Sequence, residues 1–234
     1  MAELLYEGKA KQVYKTEKED EYLIHYKDDA TAGNGVKHDK FEGKGVLNNT
    51  ISCIIFDMLE EAGIKTHMIK KLNERDILVT KVDIFPLEVI IRNITTGSFC
   101  KRLGAPEGVV LDEPIFEMSY KNDEYGDPLI NDDHAVALKL ATREELAYIK
   151  ETTLKINELL KEFFLSMNLK LVDFKIEFGK TADGTILLAD EISPDSCRLW
   201  DVDTNQKYDK DVFRQDIGDL IETYKAVLAR MQNK

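Results

Sequence analysis

The chain has 234 residues, enough for one domain or two modest lobes with a proper hydrophobic core. Its formal net charge is −12, whereas proteins that coat nucleic acids or anionic membranes usually present a basic surface, so we expect neither partner. The three cysteines are widely spaced and form no CxxC pair, which argues against a zinc knuckle or a disulfide framework. The sequence shows no apolar segment of signal-peptide length near residue 1 and no run of ~18 apolar residues. We therefore expect a cytoplasmic protein with no membrane span.

The first third of the sequence predicts a small α+β unit. Alternating residues over 21–26 and β-branched residues over 77–82 and 87–94 predict strands. Apolar residues at helical spacing predict a helix over 41–62, with Gly63 at its end. Strands around one helix are typical of an α+β lobe.

The second half predicts two long helices. Thr142 followed by Glu145 is a capping box, and the apolar positions over 146–167 then follow helical spacing, with Asn168 as the stop. A last helix is predicted from about Asp209 to the C-terminal end. Any hinge between two lobes is expected near 83–86, because no linker-like stretch separates the halves.

The segment 171–192 predicts two strands joined by a turn at 181–184. In the first strand, the expected core face comprises Val172, Phe174, Ile176 and Phe178, and the opposite polar face comprises Asp173, Lys175 and Glu177. Asp190 and Glu191 close the second strand, and such carboxylates are costly unless paired or metal-bound. A hairpin would bring Asp190 near Asp173 and Glu177. Carboxylate oxygens are hard ligands that suit Mg²⁺, whose coordination shell is usually completed by water and substrate phosphates. The alternative is a solvated strand face with paired charges.

Arg92 interrupts the apolar stretch 84–94 and is followed by the hydroxyl-rich segment 95–98. A planar guanidinium suits recognition of a carboxylate or phosphate, so these residues predict an anion pocket. The alternative is a buried ion pair with a glutamate such as Glu88. The segment 8–11 carries a glycine and two lysines that could cover phosphates, although this signal is weak.

Several familiar motifs are absent from the sequence. It contains no GxxxxGK[ST], GxGxxG, HRD, DFG, GxSxG or HExxH, and its four histidines are scattered. The cysteines have no evident base partner, so a nucleophilic or zinc mechanism is poorly supported. The residues alone therefore predict an α+β protein with a Mg²⁺-phosphate site and an arginine-lined anion pocket, and they leave the substrate unnamed.

Two of these segments resemble the signatures of the SAICAR synthetase family of purine biosynthesis. The stretch 86–98 is similar to the first signature and 171–179 to the second. Further matches, in chain order, are 8–11, 121–123 and 190–195 together with Arg198 and Trp200. The resemblance runs from residue 5 to about 231, with one departure at Gly33, where many members carry an aromatic residue.

The resemblance implies an ATP-dependent ligase. Such an enzyme joins L-aspartate to the carboxylate of 5-amino-1-(5-phospho-D-ribosyl)imidazole-4-carboxylate (CAIR) through an acyl phosphate, giving SAICAR, ADP and phosphate. It also implies a two-lobed α+β fold related to protein kinases and ATP-grasp enzymes, often a homodimer. The small antiparallel-sheet lobe would span residues 1–83 and cover ATP, and the larger lobe, residues 84–234, would bind substrate and metal.

The match also implies roles for individual residues. The ATP-binding residues would be Lys9, Ala10, Lys11, Val13, Lys81, Val82, Ile84, Lys121, Glu177 and Asp190. The CAIR-binding residues would be Arg92, Ser98, Asp173, Lys175 and Arg198. Glu177 and Asp190 would hold Mg²⁺, and Lys11, Asp173 and Lys175 would be catalytic. Two alternatives stay open: another ATP-dependent small-molecule or lipid kinase of related fold, and a non-catalytic nucleotide-binding protein.

Overall fold

The structure is a computed structural model that describes residues 3–32 and 37–233, so the departure at Gly33 lies outside the described residues. The strands of the first part of the chain are β1 (Leu4–Glu7), β2 (Lys11–Lys15), β3 (Glu21–Tyr26), β4 (Asp29–Ala32), β5 (Lys37–Lys40), β6 (Met68–Lys71) and β7 (Asp76–Thr80). The later strands are β8 (Asp83–Ile84), β9 (Leu87–Ile94), β10 (Val110–Tyr120), β11 (Leu129–Ile130), β12 (Leu169–Lys180), β13 (Ile186–Ala189) and β14 (Cys197–Asp201). The α-helices are α1 (Lys44–Glu61), α2 (Gly97–Leu103), α3 (Asp132–Ala137), α4 (Arg143–Leu165), α5 (Asp211–Arg214) and α6 (Leu220–Gln232).

Two antiparallel sheets organise these elements. The smaller sheet has the strand order β1-β2-β3-β7-β6, and β4 pairs only with β5 in a separate hairpin. The larger sheet has the order β11-β10-β9-β12-β13, and β12 also pairs with β8 and β14. The expected α+β class, with an antiparallel sheet built by the N-terminal part, is confirmed.

Helix α1 contributes side chains to the cores of both sheets. Cys53 packs in the cluster of the small sheet with Ile24 and Val79. Ile55 and Phe56 belong instead to the main core, which lies against the large sheet. The expected division into two lobes between residues 83 and 84 stays a prediction. Helix α1 belongs to the first of these lobes by sequence, but it packs against both sheets. None of the helices within 3–32 and 37–233 is long and apolar enough to cross a membrane.

Strand β12 is the central strand of the large sheet, and both of its faces are largely buried. Phe174, Ile176 and Phe178 lie in the main core as predicted. Val172 does not, because the register of β12 against β14 shifts between Leu171 and Asp173, and Val172 packs in a separate cluster. The prediction of one uninterrupted apolar face was therefore wrong at Val172, since such an irregularity changes the side to which the next side chain points.

Elements with strong local signals form where they were predicted. Helix α1 ends just before Gly63, whose φ of 86° suits glycine. The capping box of α4 is present: the Thr142 Oγ1 accepts from the Glu145 N–H at 3.2 Å, and Glu145 Oε2 accepts from the Thr142 N–H at 2.8 Å. The hairpin of β12 and β13 turns through Gly184 at φ 90°.

One prediction near the C-terminal end was wrong. The single helix from about Asp209 is in fact α5 and α6, separated by a turn in which Asp216 has φ 54°. The Asp219 side chain accepts from the Glu222 N–H at 2.9 Å and so begins α6 as its N-cap.

Candidate active site

Three charged side chains along β12 each pair with a partner on another element. Asp173 lies directly opposite Arg92 on β9 and Arg198 on β14 in the strand register. Lys175 donates to Glu88 Oε1, and Glu177 accepts from Lys121. The expected polar face therefore exists, and its charges are paired: Asp173 and Glu177 are buried, whereas the Lys175 side chain is 43% exposed.

The first group, which we call the carboxylate cluster, comprises Lys11, Lys121, Glu177, Asp190 and Glu191. Lys121 Nζ donates to both oxygens of Glu177, at 2.7 and 2.6 Å. Lys11 Nζ donates to Asp190 Oδ1 and lies 3.4 Å from Glu191 Oε2. Glu177 faces Ala189 across the hairpin, one residue before Asp190, so the hairpin brings the two carboxylates to one place as predicted.

The charges of this cluster influence one another strongly. Burial, together with the Asp190 carboxylate, raises the pKa of Glu177 to about 7. Burial opposes ionisation of Asp190 as well, but the Lys11 ammonium lowers the pKa of Asp190 below its ordinary value. The cluster therefore holds two close carboxylates whose mutual repulsion an added cation would relieve.

Asp190 also has an unusual backbone, with φ 60° in the left-handed region. The strand before it is fixed by hydrogen bonds on its open side: the His67 N–H donates to the Leu188 carbonyl at 2.8 Å, and the Leu188 N–H donates to the Lys65 carbonyl at 3.0 Å. These bonds support the turn that directs the Asp190 carboxylate toward Lys11.

The second group, the arginine cluster, is centred on Asp173. One oxygen of this carboxylate, Oδ2, accepts from Arg92 Nη1 at 2.9 Å and from Arg198 Nη1 at 2.8 Å. Arg92 Nη2 also donates to Ser98 Oγ at 3.1 Å. The residues Arg92, Ser98, Asp173 and Arg198, which the sequence singled out separately, are thus brought together.

Two more carboxylates accept hydrogen bonds from the Nε groups of these arginines. Glu117 Oε2 accepts from Arg92 Nε at 2.7 Å, and Asp211 Oδ2 accepts from Arg198 Nε at 2.9 Å. The buried partner of Arg92 is therefore Glu117, together with Asp173, and not Glu88. Although burial disfavours its charged form, Arg198 has a raised pKa because Asp173 and Asp211 stabilise the guanidinium.

The remaining predicted residues lie around the carboxylate cluster or at the connection between the sheets. Lys9 Nζ donates to Asp123 Oδ1 at 2.8 Å, and Val13 packs against the core of the small sheet. Lys81 and Val82 lie in the connection between β7 and β8, and Ile84 lies in β8. Val82 lies so close to β12 that a Cβ on Gly179 would come within 2.4 Å of Val82 Cγ2.

Sequence reasoning missed Glu117 and Asp211. Glu117 lies in β10, whose composition carries no motif, and Asp211 begins the short helix α5. Glu88 was considered only as a partner of Arg92. Glu117 lies opposite Ile90, two residues from Arg92, so a search for acidic residues diagonally across from Arg92 could have found it. Such a search requires the register of β9 and β10, which the sequence does not give.

Two of the three cysteine thiols are buried. Cys53 and Cys197 are free and buried, and burial raises the pKa of Cys53 to about 11 and that of Cys197 further. The third cysteine, Cys100, is free and only partly buried, and the lack of an enzyme thiol in the chemistry stays a prediction.

Comparison with known proteins assigns the family. The family model "SAICAR synthetase" matches residues 4–231. The phosphoribosylaminoimidazole-succinocarboxamide synthase of Finegoldia magna is 67% identical over 98% of this chain and 99% of that protein. The crystal structure of the Ehrlichia chaffeensis enzyme of the same name superimposes with a TM-score of 0.96 at 45% identity, covering 98% of each chain. A SAICAR synthetase in complex with ADP has a TM-score of 0.95 at 50% identity, covering 98% of this chain and 97% of that one. The chain belongs to the SAICAR synthetase family.

Proposed function

We propose that this chain joins L-aspartate to the carboxylate of CAIR with ATP, giving SAICAR, ADP and phosphate. The observation that carries the proposal is the pair of clusters side by side along β12. One cluster combines lysines with two close carboxylates, and the other presents paired arginines. A ligase of this kind must hold a nucleoside triphosphate next to a second anionic substrate, and the two clusters supply these two environments.

We assign ATP to the carboxylate cluster and the connection between the sheets. Lys9, Ala10, Lys11 and Lys121 would contact the phosphates, and Val13, Lys81, Val82 and Ile84 would border the adenine. Lys11 supports this role because it is a buried cation with a partly exposed partner, Asp190, whose side chain is 32% exposed. The bound ADP of a relative at 50% identity also supports ATP as the co-substrate.

Glu177 and Asp190 fit a Mg²⁺ ion. Within the described ranges no group of three or more His, Cys, Asp or Glu side chains is arranged to hold a metal. Two close carboxylates nevertheless suit Mg²⁺, which takes one or two protein carboxylates and fills its shell with water and phosphate oxygens. When bound there, the ion would neutralise the β- and γ-phosphates.

We assign CAIR to the arginine cluster with Lys175. Arg92, Ser98 and Arg198 would bind an anionic group of the ribonucleotide, and Asp173 holds the two arginines toward each other. Lys175 lies two residues from both Asp173 and Glu177 on β12, so it stands between the clusters. That position suits contact with the carboxylate to be activated. Lys11, Asp173 and Lys175 are therefore the catalytic assignments.

The chemistry activates the substrate. A carboxylate oxygen of CAIR attacks the γ-phosphorus of ATP, forming an acyl phosphate and releasing ADP. The amine of aspartate then attacks the carbonyl carbon, the C–O bond to phosphate breaks, and the amine loses a proton as the amide forms. This sequence of steps needs positioned cations and no protein nucleophile.

An ADP-release assay with each substrate omitted in turn tests the proposal. We expect steady turnover only with ATP, CAIR and aspartate together. ADP release that needs CAIR but not aspartate would instead indicate a kinase. Nucleotide binding without turnover under any combination would indicate a non-catalytic protein.

Isotope labelling tests the acyl phosphate. CAIR carrying ¹⁸O in its carboxylate should yield inorganic phosphate with one ¹⁸O per turnover, because the bridging oxygen leaves with phosphate. Phosphate from a hydrolysed phosphoenzyme would take its oxygen from water. Unlabelled phosphate, with exchange and decarboxylation controlled, would exclude the acyl-phosphate route.

We also infer that the protein is cytoplasmic and forms a homodimer. In each chain, residues 1–83 would form the lobe that covers ATP, and residues 84–234 would form the lobe that binds substrate and metal. Free cysteines suit a reducing compartment. The edge strand β1 exposes Leu4, Leu5 and Tyr6 at 45%, 44% and 65%, and a partner chain would cover such an edge. Sedimentation equilibrium of the purified protein tests the dimer.

A further inference from the structure

An unbroken line of ion pairs extends the arginine cluster outward to helix α2. From the centre it runs from Asp173 to Arg92, from Arg92 to Glu117, and from Glu117 to Arg102. The inner members are buried: the Arg92 side chain is 4% exposed and that of Glu117 is 13% exposed, whereas that of Arg102 is 35% exposed. The line therefore connects the interior of the site with its partly exposed rim.

Glu117 uses its two oxygens for two different arginines. Oε2 accepts from Arg92 Nε at 2.7 Å, and Oε1 accepts from Arg102 Nη2 at 2.6 Å. In the register of β10 and β9, Glu117 faces Ile90, two residues from Arg92, so its side chain approaches Arg92 diagonally on the same face. Strand pairing thus sets the position from which Glu117 holds both guanidinium groups.

Ser98 provides a second bridge between the same two arginines. Its Oγ accepts from Arg92 Nη2 at 3.1 Å and from Arg102 Nη1 at 3.2 Å. A hydroxyl group has two acceptor positions and one donor, so both acceptor positions are used and the O–H is left to donate. On one side of Glu117 there is thus a group of hydrogen-bond donors, formed by Arg92, Arg102 and the Ser98 hydroxyl.

We propose that Glu117 is a positioning residue that joins Arg102 and Arg92 into one anion-binding unit for the ribonucleotide. The inference rests on the proposed CAIR site. Arg92 and Arg102 share the Glu117 carboxylate, which fixes both guanidinium groups before the ligand arrives, and Asp173 holds Arg92 from another side. Pre-organised charged donors bind an anion more tightly than donors that must be ordered on binding.

Removal of the Glu117 charge has two opposite consequences, which makes the proposal testable. Loss of a nearby negative charge alone would strengthen the attraction of the site for an anion. Loss of positioning would weaken binding, because glutamine replaces one of the two accepting oxygens with an NH2 group, which cannot accept from the arginine that it faces. The sign of the change in CAIR affinity therefore separates a positioning role from a merely charged neighbour.

The test compares Glu117→Gln, Arg102→Met and the double variant with the wild type. We expect Glu117→Gln to raise the KM and Kd for CAIR about tenfold, with kcat and the KM for ATP within about twofold. Arg102→Met should weaken CAIR binding similarly, and the double variant should be little worse than either single variant. Unchanged or tighter CAIR binding by Glu117→Gln, or independent losses in the double variant, would overturn the proposal.

Asp201→Asn is the matched control. Asp201 is also a largely buried carboxylate, 10% exposed, and it accepts from Arg230 Nη2 at 3.1 Å at the far end of β14. Its loss should lower stability without changing the KM for CAIR. If Glu117→Gln does not fold, Glu117→Asp decides, because aspartate keeps the charge but is shorter by one methylene group: weaker CAIR binding would support positioning, and unchanged binding would overturn it. A wild type that fails to bind CAIR would refute the proposed function, whereas wild-type binding with unaffected variants would refute only the role of Glu117.

Discussion

At the scale of single residues, Asp190 combines a left-handed backbone with a carboxylate shared between a lysine and a proposed metal. A non-glycine residue in this region costs roughly 1 kcal/mol, so the surrounding hairpin must hold it there. Ion pairing with Lys11 keeps the carboxylate charged near neutral pH. A residue with these properties is suited to present one oxygen to a cation at a fixed place.

We predict that Asp190→Asn folds but loses Mg²⁺-dependent turnover by at least ~100-fold, because metal neutralisation of the phosphates supplies several kcal/mol. ADP release measured against Mg²⁺ concentration checks this. Asp183→Asn, in the exposed turn of the same hairpin, is the control and should keep wild-type turnover. Normal activity in a folded Asp190→Asn protein would remove Asp190 from the metal site.

Arg92→Lys tests the arginine cluster. Lysine keeps the charge but cannot donate at once to Glu117, Asp173 and Ser98 in the geometry of a planar fork. We therefore expect weaker CAIR binding with nearly intact ATP affinity in calorimetry. Arg75→Lys, which alters a two-bond pair with Asp28 in another part of the protein, should leave both affinities unchanged. A fall in ATP affinity instead would mean that the pocket was assigned to the wrong substrate.

Asp209 makes stability depend on pH. Its carboxylate is buried and accepts from the backbone N–H groups of Leu199 and Asp211. Burial and the neighbouring Asp211 charge raise its pKa to about 7 from 3.8. The native state therefore binds a proton that the unfolded state releases over this window, so the contribution to stability is present below about pH 4 and is lost as the pH rises toward 7.

We predict that the unfolding free energy of the wild type falls between pH 5 and 7.5 relative to that of Asp209→Asn, by at most about 1.4 kcal/mol per pH unit. Urea denaturation at several pH values measures this difference. Parallel pH profiles for the two proteins would show that Asp209 is ionised in the folded protein throughout this range.

At the scale of elements, the start of α2 is shaped by contact with the arginine cluster. Gly97 has φ +57°, and a Cβ there would lie 2.7 Å from Arg198 Nη2. The glycine thus permits both the backbone turn and the close approach of the Arg198 guanidinium. Strand β9, the turn and α2 deliver Arg92, Gly97 and Ser98 to one place as a single local unit.

We predict that Gly97→Ala lowers stability by about 1–2 kcal/mol and weakens CAIR binding. Gly104→Ala is the matched control, because Gly104 also has a positive φ of 65° but a Cβ there meets nothing within 4 Å. The control should show the backbone cost without the loss of affinity. Equal CAIR affinities for both variants would mean that the contact with Arg198 does not shape the site.

At the scale of the whole molecule, α1 lies between the two sheets and packs against both. A fully buried lysine in its first turn, Lys44, donates to Asp195 Oδ2 at 2.6 Å, and Tyr224 on α6 also donates to Asp195. These contacts tie the small sheet, the loop after Asp190 and the C-terminal helix together. Separate unfolding of either part would break buried ion pairs and expose α1.

We therefore predict a single cooperative unfolding transition in urea. The fluorescence of Trp200, which lies in β14 of the large sheet, should change together with the far-UV circular dichroism of the whole chain. Two separated transitions would show that the regions over 1–83 and 84–234 fold independently.

Patterns among near neighbours in the chain were enough to predict several elements of the fold. Strands β3 and β9, the capping box of α4 and the glycine end of α1 follow from residues at most a few positions apart. The alternation along β12 likewise predicted that Asp173, Lys175 and Glu177 share a face. The family signatures identified most of the candidate site for the same reason, since each signature is one continuous segment.

The pairing of the charges, and the position at which the alternation along β12 breaks, depend on contacts between residues far apart in the chain. Arg92 meets Asp173 across 81 positions and Glu117 across 25, and Lys175 meets Glu88 across 87. Such pairs depend on the register between strands, and a shift of one residue sends each side chain to the other face. The irregularity before Asp173 redirected Val172 for the same reason, and no local period of the sequence encodes it.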